Sequence, residues 1–487
     1  MTPPTEDGAP APSAPPHASL QMDPEEMRAL GREVVDLLVA RWSDLPAAPA
    51  WRGGTREELE ALLGEPPPEE GRPPRAVLAR AVRDVLEVAG RVDHPRFFAF
   101  VPSAPTWPGV LADFLAAGFN VFQGTWLESA GPSQVELVVL EWIRGWIGFP
   151  EGAGGLFTSG GSAANLDAVV ALREAADNPP RPSFYMGDQA HSALARAARI
   201  AGVPAEGIRV LPSDDAFRLR LDALARAVEE DRAAGRTPVA VLANGGATNT
   251  GTVDPLEALA DFCRAEGVRL HVDAAYGGFA VLTPEGREAF RGLERADSVA
   301  LDAHKWLFQP FEAGCLLVRD VRMLERAFHT RPEYLQDVEL GTAQVNFADR
   351  GLQLTRSFRA LKVWMTVQTF GMEALREGVR NGILLARRAG EHIRASPLLE
   401  LRSPPSLGVV CFRVRPPEGG ATEEELEELN RRVQDRVVAS GVAMTSSTRL
   451  KGSFALRLCI LSHATAWEDV CATLEAMEAT TEELLGG

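Results

Sequence analysis

The stretch LHVDAAY at residues 270–276 decides the fold, because it places Asp273 at the end of an apolar run. A run with the same layout, LDAHKW at 301–306, follows further along the chain. In an open parallel sheet, ligands bind beyond the carboxyl ends of the strands, so both runs predict a site at one sheet edge. A buried carboxylate without a partner is costly. Asp273 therefore has either a chemical task or, in the alternative interpretation, a role as a structural cap on the next turn.

Further apolar, β-branched runs alternate with alanine-rich helical stretches around these two. The predicted strands are Gly155–Thr158, Ser183–Met186, Ile208–Leu211, Val239–Leu242, Val268–Val272, Ser298–Leu301 and Cys315–Val318. This alternation is typical of an α/β fold with a mainly parallel, seven-stranded sheet and crossover helices. After Arg356 the sequence predicts a long helix, the strands Leu407–Val414 and Phe454–Ile460, a helix over Thr422–Ser440 and a last helix, which together form a small α+β domain.

The N-terminal part of the chain predicts no domain of its own. Residues 1–21 are rich in proline and lack lysine and arginine, which indicates a disordered leader and not a secretory signal. Apolar residues then recur at helical spacing, so we expect a helical segment over 22–105 that cannot bury much by itself. A large domain over 106–385 and a small C-terminal domain over 386–487 complete the predicted organisation.

Composition excludes several classes of function. The chain has 487 residues and a formal net charge of −17, which argues against nucleic acid and against an anionic membrane surface as partners. No apolar run reaches the roughly 18 residues of a membrane span. The five cysteines show no disulfide or metal-type spacing, so we expect reduced, mostly buried thiols, no metal site and a cytoplasmic location.

Lysine is rare in this chain. Of 50 basic residues only Lys305, Lys362 and Lys451 are lysines, a bias that high-GC coding explains. Lys305 lies between His304 and Trp306, where burial would lower its pKa and make the neutral amine a nucleophile for carbonyl carbon. The alternative interpretation is a lysine that extends from the strand end into solvent.

The turn TSGGS at 158–162 lies between a predicted strand and a helix. Its glycines would let backbone N–H groups approach an anion at the helix N-terminus, although a plain strand–helix turn remains an equal interpretation. An anion-binding turn, a strand-end aspartate and a strand-end lysine together match a cofactor with a phosphate, a ring nitrogen and an aldehyde. Pyridoxal 5′-phosphate (PLP) has all three.

The sequence resembles the group II PLP-dependent decarboxylases of the aromatic-L-amino-acid type, which have the PLP fold-type I. The resemblance extends from Met22 to Leu485. The motifs that carry it are HPRFFAF at 94–100, the glycine-rich turn, DQAHS at 188–192, HVDAAY at 271–276, HKW at 304–306 and SFRALKVW at 357–364.

The resemblance implies the roles of the site residues. Lys305 would form the Schiff base with the cofactor, Asp273 would contact the pyridine nitrogen and His191 would stack on the ring. Further cofactor contacts are implied for Gly160, Gly161, Ser162, Thr248, Ala275 and His304. Tyr334 would protonate the quinonoid carbon after CO₂ leaves, and relatives with phenylalanine at that position tend to be aldehyde synthases.

Implied substrate contacts are Phe100, Ser103, Phe122 and Thr355, with the Ser103 hydroxyl near the substrate carboxylate. Four positions depart from the animal aromatic enzymes: Val92, Gly124, Asp302 and Thr355 replace tryptophan, phenylalanine, asparagine and glycine or serine. Thr355 should narrow the pocket, because added bulk is poorly tolerated in a packed site.

The resemblance implies decarboxylation of an L-amino acid, with a phenyl or phenolic side chain favoured, to the amine and CO₂. It also implies a homodimer whose N-terminal helices wrap the partner, with the active site at the interface. Two alternatives stay open: a decarboxylating aldehyde synthase, and a catalytically silent member of the fold that serves as an interaction protein.

Overall fold

The computed structural model describes residues 20–101, 103–329 and 344–486. The chain divides into two compact units, one that ends at Gly90 and one that begins at Arg91. Of the predicted leader, only residues 20 and 21 are described. The domain boundaries at 105/106 and 385/386 stay predictions.

The first unit is helical. Its α-helices are α1 (Pro24–Asp44), α2 (Arg56–Leu63) and α3 (Pro74–Arg80), and α3 continues as a π-helical turn (Ala81–Val85) and a 3₁₀ turn (Leu86–Val88). The Asp23 carboxylate caps α1 by accepting a hydrogen bond from the backbone N–H of Glu25 at 2.8 Å. No residue of α1 is buried, as expected of a segment that cannot form its own core.

The second unit is built on a seven-stranded sheet. Its strands are β1 (Gly154–Thr158), β2 (Pro182–Gly187), β3 (Ile208–Leu211), β4 (Thr237–Asn244), β5 (Arg269–Asp273), β6 (Ser298–Asp302) and β7 (Gly314–Val318). They lie in the order β1-β7-β6-β5-β4-β2-β3, and β7 runs antiparallel to both of its neighbours while the other pairs are parallel. The predicted strands and the mainly parallel sheet are confirmed.

Helices cover this sheet. Those of the second unit up to residue 328 are α4 (Trp107–Gly118), α5 (Trp126–Ile147), α6 (Gly161–Glu174), α7 (Ser192–Ile200), α8 (Leu221–Ala233), α9 (Leu256–Glu266), α10 (Pro284–Ala289), α11 (Ala303–Trp306) and α12 (Arg322–Phe328). Every residue of β2, β6 and β7 is buried, which requires cover on both faces of the sheet.

The C-terminal part forms a second, smaller sheet. The long α13 (Ala360–Ala395) leads into β8 (Leu399–Leu401) and β9 (Val409–Val414), followed by α14 (Glu423–Ala439), β10 (Ser446–Leu450), β11 (Ser453–Cys459) and α15 (Trp467–Gly486). The four strands are antiparallel in the order β10-β11-β9-β8. The predicted α+β tail is confirmed. The sequence missed β8, which has three residues, and β10, which is largely polar.

The strand directions position the candidate site. Because β1, β4, β5 and β6 run parallel, their carboxyl ends lie at one edge of the sheet. The last residues of these strands are Thr158, Asn244, Asp273 and Asp302. The pairing of β4 with β5 places Asn244 directly opposite Asp273.

The described residues also bear on two expectations from composition. In the three described ranges, no helix is long and apolar enough to cross a bilayer. Four of the five cysteines are buried and Cys471 is half-buried, as predicted for thiols.

Candidate active site

A cavity of about 460 Å³ lies at the carboxyl edge of the large sheet. All of the residues that the sequence assigns to the cofactor line it: Gly160, Gly161, Ser162, His191, Thr248, Asp273, Ala275, His304 and Lys305. Residues separated by up to 145 positions along the chain therefore meet in one place (160 to 305).

The glycine-rich turn forms one wall of this cavity. It connects β1 to α6, and Gly161 is the first residue of α6. A Cβ on Gly161 would lie 2.7 Å from the Ala275 Cβ and 3.2 Å from Asp302 Oδ2, so a larger residue would clash. The N-terminus of α6, with its partial positive charge, thus lies at the cavity.

Asp273 is the last residue of β5, and both of its carboxylate oxygens accept hydrogen bonds. Asn165 Nδ2 donates to Oδ2 at 2.9 Å, and the backbone N–H of Ala275 donates to Oδ1 at 3.2 Å. Burial raises the pKa of Asp273, and the positive charge of Lys305 opposes that shift. The carboxylate is therefore fixed in orientation with a cationic neighbour.

Lys305 lies on the short helix α11, directly after β6. Its Nζ is 2.9 Å from Asp302 Oδ2. Burial lowers the pKa of Lys305, but the two carboxylates of Asp302 and Asp273 outweigh burial and hold it above the ordinary value of 10.5. The sequence-based expectation of a lowered pKa is wrong for this structure, because it considered burial without the adjacent carboxylates.

Asp302 lies between the lysine and the glycine-rich turn. Its side chain is 3% exposed, and its Oδ1 is buried without a hydrogen-bond partner among the described residues. His304 Nε2 lies 3.5 Å from Asp302 Oδ2, and His304 Nδ1 accepts a hydrogen bond from the backbone N–H of Ala313 at 3.0 Å. Since Nδ1 is the acceptor, the Nε2 side of His304 is the one that can donate toward the cavity.

His191 and Thr248 come from loops that follow strands. His191 is the N-cap of α7, where its Nδ1 accepts from the backbone N–H of Ala193 at 3.2 Å. His191 is exposed and Thr248 is half-buried, and both line the cavity.

The predicted substrate residues lie outside the lining of this cavity in the single chain. Ser103 is buried and its hydroxyl donates to the backbone carbonyl of Lys305 at 2.7 Å, while Phe100 is 64% exposed. Thr355 is exposed and Phe122 is half-buried. The roles of these four residues stay predictions, and Tyr334 lies outside the described residues.

Gly124 connects two of these substrate positions. A Cβ on Gly124 would lie 2.4 Å from the Phe122 ring and 2.7 Å from the Leu354 carbonyl oxygen. The Phe122 ring therefore occupies the space that a side chain at 124 would need, next to the segment that carries Thr355.

Sequence reasoning missed several residues of the cavity. Asn165 lies one helical turn after Gly161, and an asparagine in the apolar start of α6 is a signal that could have identified it. Asn244 ends β4 as Asp273 ends β5, which is a second usable signal. Phe311 and Glu312 also line the cavity, but they lie in the loop before β7, whose course no local pattern predicts.

Comparison with known proteins identifies the family. A family model, the pyridoxal-dependent decarboxylase conserved domain, matches residues 57–415. The chain is 39% identical to an aromatic-L-amino-acid decarboxylase of Bacillus atrophaeus, over 96% of this chain and 98% of that protein. It is 33% identical to a phenylacetaldehyde synthase of Arabidopsis thaliana, over 90% and 92% of the two chains.

A solved structure of a similar protein has the same fold. That of Oryza sativa TDC with PLP and tryptamine matches with a TM-score of 0.90 and 29% identity, over 95% of this chain and 99% of that one. The chain belongs to the pyridoxal-dependent decarboxylase family, as an amino-acid decarboxylase of group II and of the aromatic type. The predicted family, fold type and cofactor are confirmed.

The cavity itself fits PLP. It offers an amine for the aldehyde, a buried carboxylate for the ring nitrogen, and a glycine-rich helix N-terminus that only residues without a side chain could form so close to Ala275. One feature opposes the phosphate: Asp302 Oδ1, which has no hydrogen-bond partner among the described residues, lies 3.9 Å from the position of a Cβ on Gly160 and brings a negative charge to this turn.

Proposed function

We propose that this protein decarboxylates an L-amino acid with a phenyl or phenolic side chain, producing the amine and CO₂. The observation that carries the proposal is the meeting of Lys305, Asp273 and the glycine-rich turn in one cavity. A catalytically silent protein would have no need for a half-buried amine beside two buried carboxylates, since such charged groups are costly to remove from water.

The chain offers a separate group for each part of the cofactor. The start of α6, with Ser162 and the Nε2 side of His304, would hold the phosphate. Asp273 would hold the ring nitrogen in its protonated form, and His191 would cover one face of the ring. When bound, PLP supplies an aldehyde for covalent attachment and a ring that accepts the electrons of the broken Cα–carboxylate bond.

Lys305 must lose a proton before its Nζ can act as a nucleophile. Asp302 Oδ2, at 2.9 Å, pairs with the protonated Nζ and orients the amine until that proton leaves. The hydrogen bond from the Ser103 hydroxyl to the Lys305 carbonyl fixes the backbone of α11. The lysine side chain can therefore change its rotamer while its backbone stays in place.

Decarboxylation and aldehyde formation diverge only after CO₂ has left. Tyr334 supports decarboxylation, because a phenolic hydroxyl can return a proton to Cα, and His191 at the cavity supports it further. The similarity to a phenylacetaldehyde synthase keeps the second outcome as the alternative, in which O₂ and water are consumed and the aldehyde, CO₂, ammonia and hydrogen peroxide are formed.

The choice of side chain would depend on the segment around Thr355. Phe122 and Gly124 lie beside it, and the ring of Phe122 offers an apolar surface for an aromatic side chain. A threonine at 355 leaves less room than glycine or serine, which favours phenyl and phenolic rings over indole.

We also propose a homodimer. The apolar residues Met27, Val34, Leu37 and Val39 of α1 are between 37% and 50% exposed, and exposed apolar surface of this kind is typical of an interface. Because the substrate residues lie outside the cavity of their own chain, a partner subunit would bring such residues to it. The cytoplasmic location stays a prediction.

The test is product analysis. The PLP-loaded protein is incubated with a panel of L-amino acids, and amines, aldehydes, CO₂ and oxygen consumption are measured together. Phenylalanine or tyrosine converted to amine and CO₂ without oxygen uptake supports the proposal. Aldehyde formed with oxygen uptake supports the alternative, and the absence of turnover on every aromatic amino acid contradicts both.

A further inference from the structure

A row of buried polar side chains runs from the interior of the large sheet to Asp273. Ser298 Oγ and His271 Nδ1 are 2.8 Å apart, and His271 Nε2 and Asn165 Oδ1 are also 2.8 Å apart. Asn165 Nδ2 then donates to Asp273 Oδ2 at 2.9 Å. Ser298, His271 and Asn165 are each at most 1% exposed.

The chemistry of these groups permits one direction of hydrogen bonding. A carboxylate only accepts, so the Asn165 amide must present its NH₂ group to Asp273 and its oxygen to His271. His271 Nε2 must then carry the proton, which leaves Nδ1 as the acceptor for the Ser298 hydroxyl. Burial lowers the pKa of His271 to about 3, which agrees with a neutral ring.

Burying a row of polar side chains costs folding free energy, so its presence indicates a functional role. Each buried polar group must be satisfied, whereas apolar side chains could fill the same volume between β5, β6 and α6. The row ends on Asp273, which meets the cavity, and the opposite oxygen of that carboxylate is held by the backbone of Ala275.

We propose that Asn165 is a positioning residue that, with its amide fixed by His271 and Ser298, holds the Asp273 carboxylate toward the ring nitrogen of the cofactor. The inference rests on the proposed function, in which Asp273 holds that nitrogen. It adds three residues to the support of Asp273: Asn165, which also lines the cavity, and His271 and Ser298, which lie behind it.

The decisive comparison uses two cofactors. Apo-enzyme is titrated with PLP and with its carbocyclic analogue, in which C–H replaces the ring nitrogen, for wild type and for Asn165→Leu. Leucine has a similar size and no hydrogen-bonding group. We expect Asn165→Leu to weaken PLP binding by roughly tenfold, as for a lost hydrogen bond to a charged group, and to leave the affinity for the analogue within about twofold.

Equal weakening of both cofactors would show a general packing defect and would overturn the inference, as would no weakening of either. Ser298→Ala removes only a hydroxyl from the far end of the row, so it remains usable if Asn165→Leu does not fold. In Ser298→Ala, the ratio of PLP affinity to analogue affinity should fall as in Asn165→Leu, but by a smaller factor. An unchanged affinity ratio in Ser298→Ala contradicts the inference.

Asn430 provides the matched control. It is as buried as Asn165, and its side chain forms hydrogen bonds with the backbone of Val414 in the small sheet and of Leu426 in α14. Asn430→Leu should lower thermal stability and leave both affinities unchanged. The wild-type arm keeps the proposed function separate: if wild type binds PLP without forming an amine, the proposed function fails whatever the ratio shows.

Discussion

Lys305 is half-buried and Lys362 is buried, and each has an aspartate at ion-pair distance. Lys305 Nζ lies 2.9 Å from Asp302, and Lys362 Nζ lies 3.0 Å from Asp113. Lys362 also donates to the backbone carbonyls of Pro310 and Glu312, at 3.2 Å and 2.9 Å, so all three of its N–H bonds have acceptors. The Lys305 side chain, 21% exposed against 4% for Lys362, opens into the cavity.

A reactive lysine is commonly expected to have a lowered pKa and a structural lysine an ordinary or raised one. The pKa shifts of Lys305 and Lys362 are the reverse of this expectation. Burial lowers the pKa of Lys362 because its partner Asp113 compensates only in part, whereas two carboxylates raise the pKa of Lys305. A search for the lysine with the lowered pKa would therefore select the structural one. The cavity, the free donor positions and the neighbouring glycine-rich turn identify the reactive amine instead.

The largest effect is expected from removing the amine at Lys305. Lys305→Ala should abolish the visible absorbance of the covalently bound cofactor and reduce amine formation by at least about a thousandfold, because no other amine reaches the cavity from the described residues. The measurements are absorbance and amine yield in the presence of PLP. Full activity of this variant would remove the distinction between the two lysines.

Lys362→Met should instead act on stability. The loss of the ion pair and of two hydrogen bonds to Pro310 and Glu312 should lower the free energy of unfolding by about 1–3 kcal/mol, a range reduced because Asp113 is 41% exposed. Urea titration of wild type and variant measures the difference. The variant should still bind PLP covalently, and a protein that no longer does so would contradict the assignment of Lys362 as structural.

Asp302 and Asp113, the ion-pair partners of the two lysines, should also differ, the first in its effect on cofactor binding and the second in its effect on stability. Asp302→Asn removes a buried negative charge beside the glycine-rich turn and should strengthen PLP binding by roughly three- to tenfold, because a carboxylate and a phosphate held at the same turn would repel each other. Asp113→Asn should leave PLP affinity unchanged and lower stability slightly. Titration of both variants with PLP gives the answer, and weaker binding in Asp302→Asn would show that the carboxylate helps to hold the cofactor.

The smallest effect is a pair of opposite slopes in alkaline solution, measured on the apo-protein. The raised pKa of Lys305 stabilises the fold below pH 10.5, and this contribution is lost as pH rises through the raised value. The lowered pKa of Lys362 makes its contribution grow as pH rises toward 10.5. Relative to wild type, Lys362→Met should therefore lose stability as pH rises toward 10.5, and Lys305→Met should gain stability as pH rises above 10.5. Slopes of the same sign for the two variants would contradict the opposite shifts.

The fold was predictable where patterns were local. The β-branched runs of the large sheet are followed by alanine-rich helices, and each predicted strand is present. The missed strands Leu399–Leu401 and Ser446–Leu450 are stabilised by pairing with β9 and β11 and have no apolar run of their own.

The site was predictable where a residue ends a strand or forms the first turn of a helix. Asp273, Lys305 and the glycine-rich turn belong to this class and line one cavity. Asn165 was not found because its importance depends on a contact with Asp273, 108 positions away. The raised pKa of Lys305 was missed for a related reason, since it results from the distance to Asp302 and not from burial.

Chemical fixation of the cofactor tests the central claim most directly. The PLP-loaded protein is reduced with borohydride, which converts the C=N bond to a stable secondary amine, and digested for peptide mass spectrometry. With only three lysines in the chain, the result is unambiguous. We predict one phosphopyridoxyl group, on the peptide that contains Lys305. A label on Lys362 or Lys451, or no label on any of the three, would contradict the account.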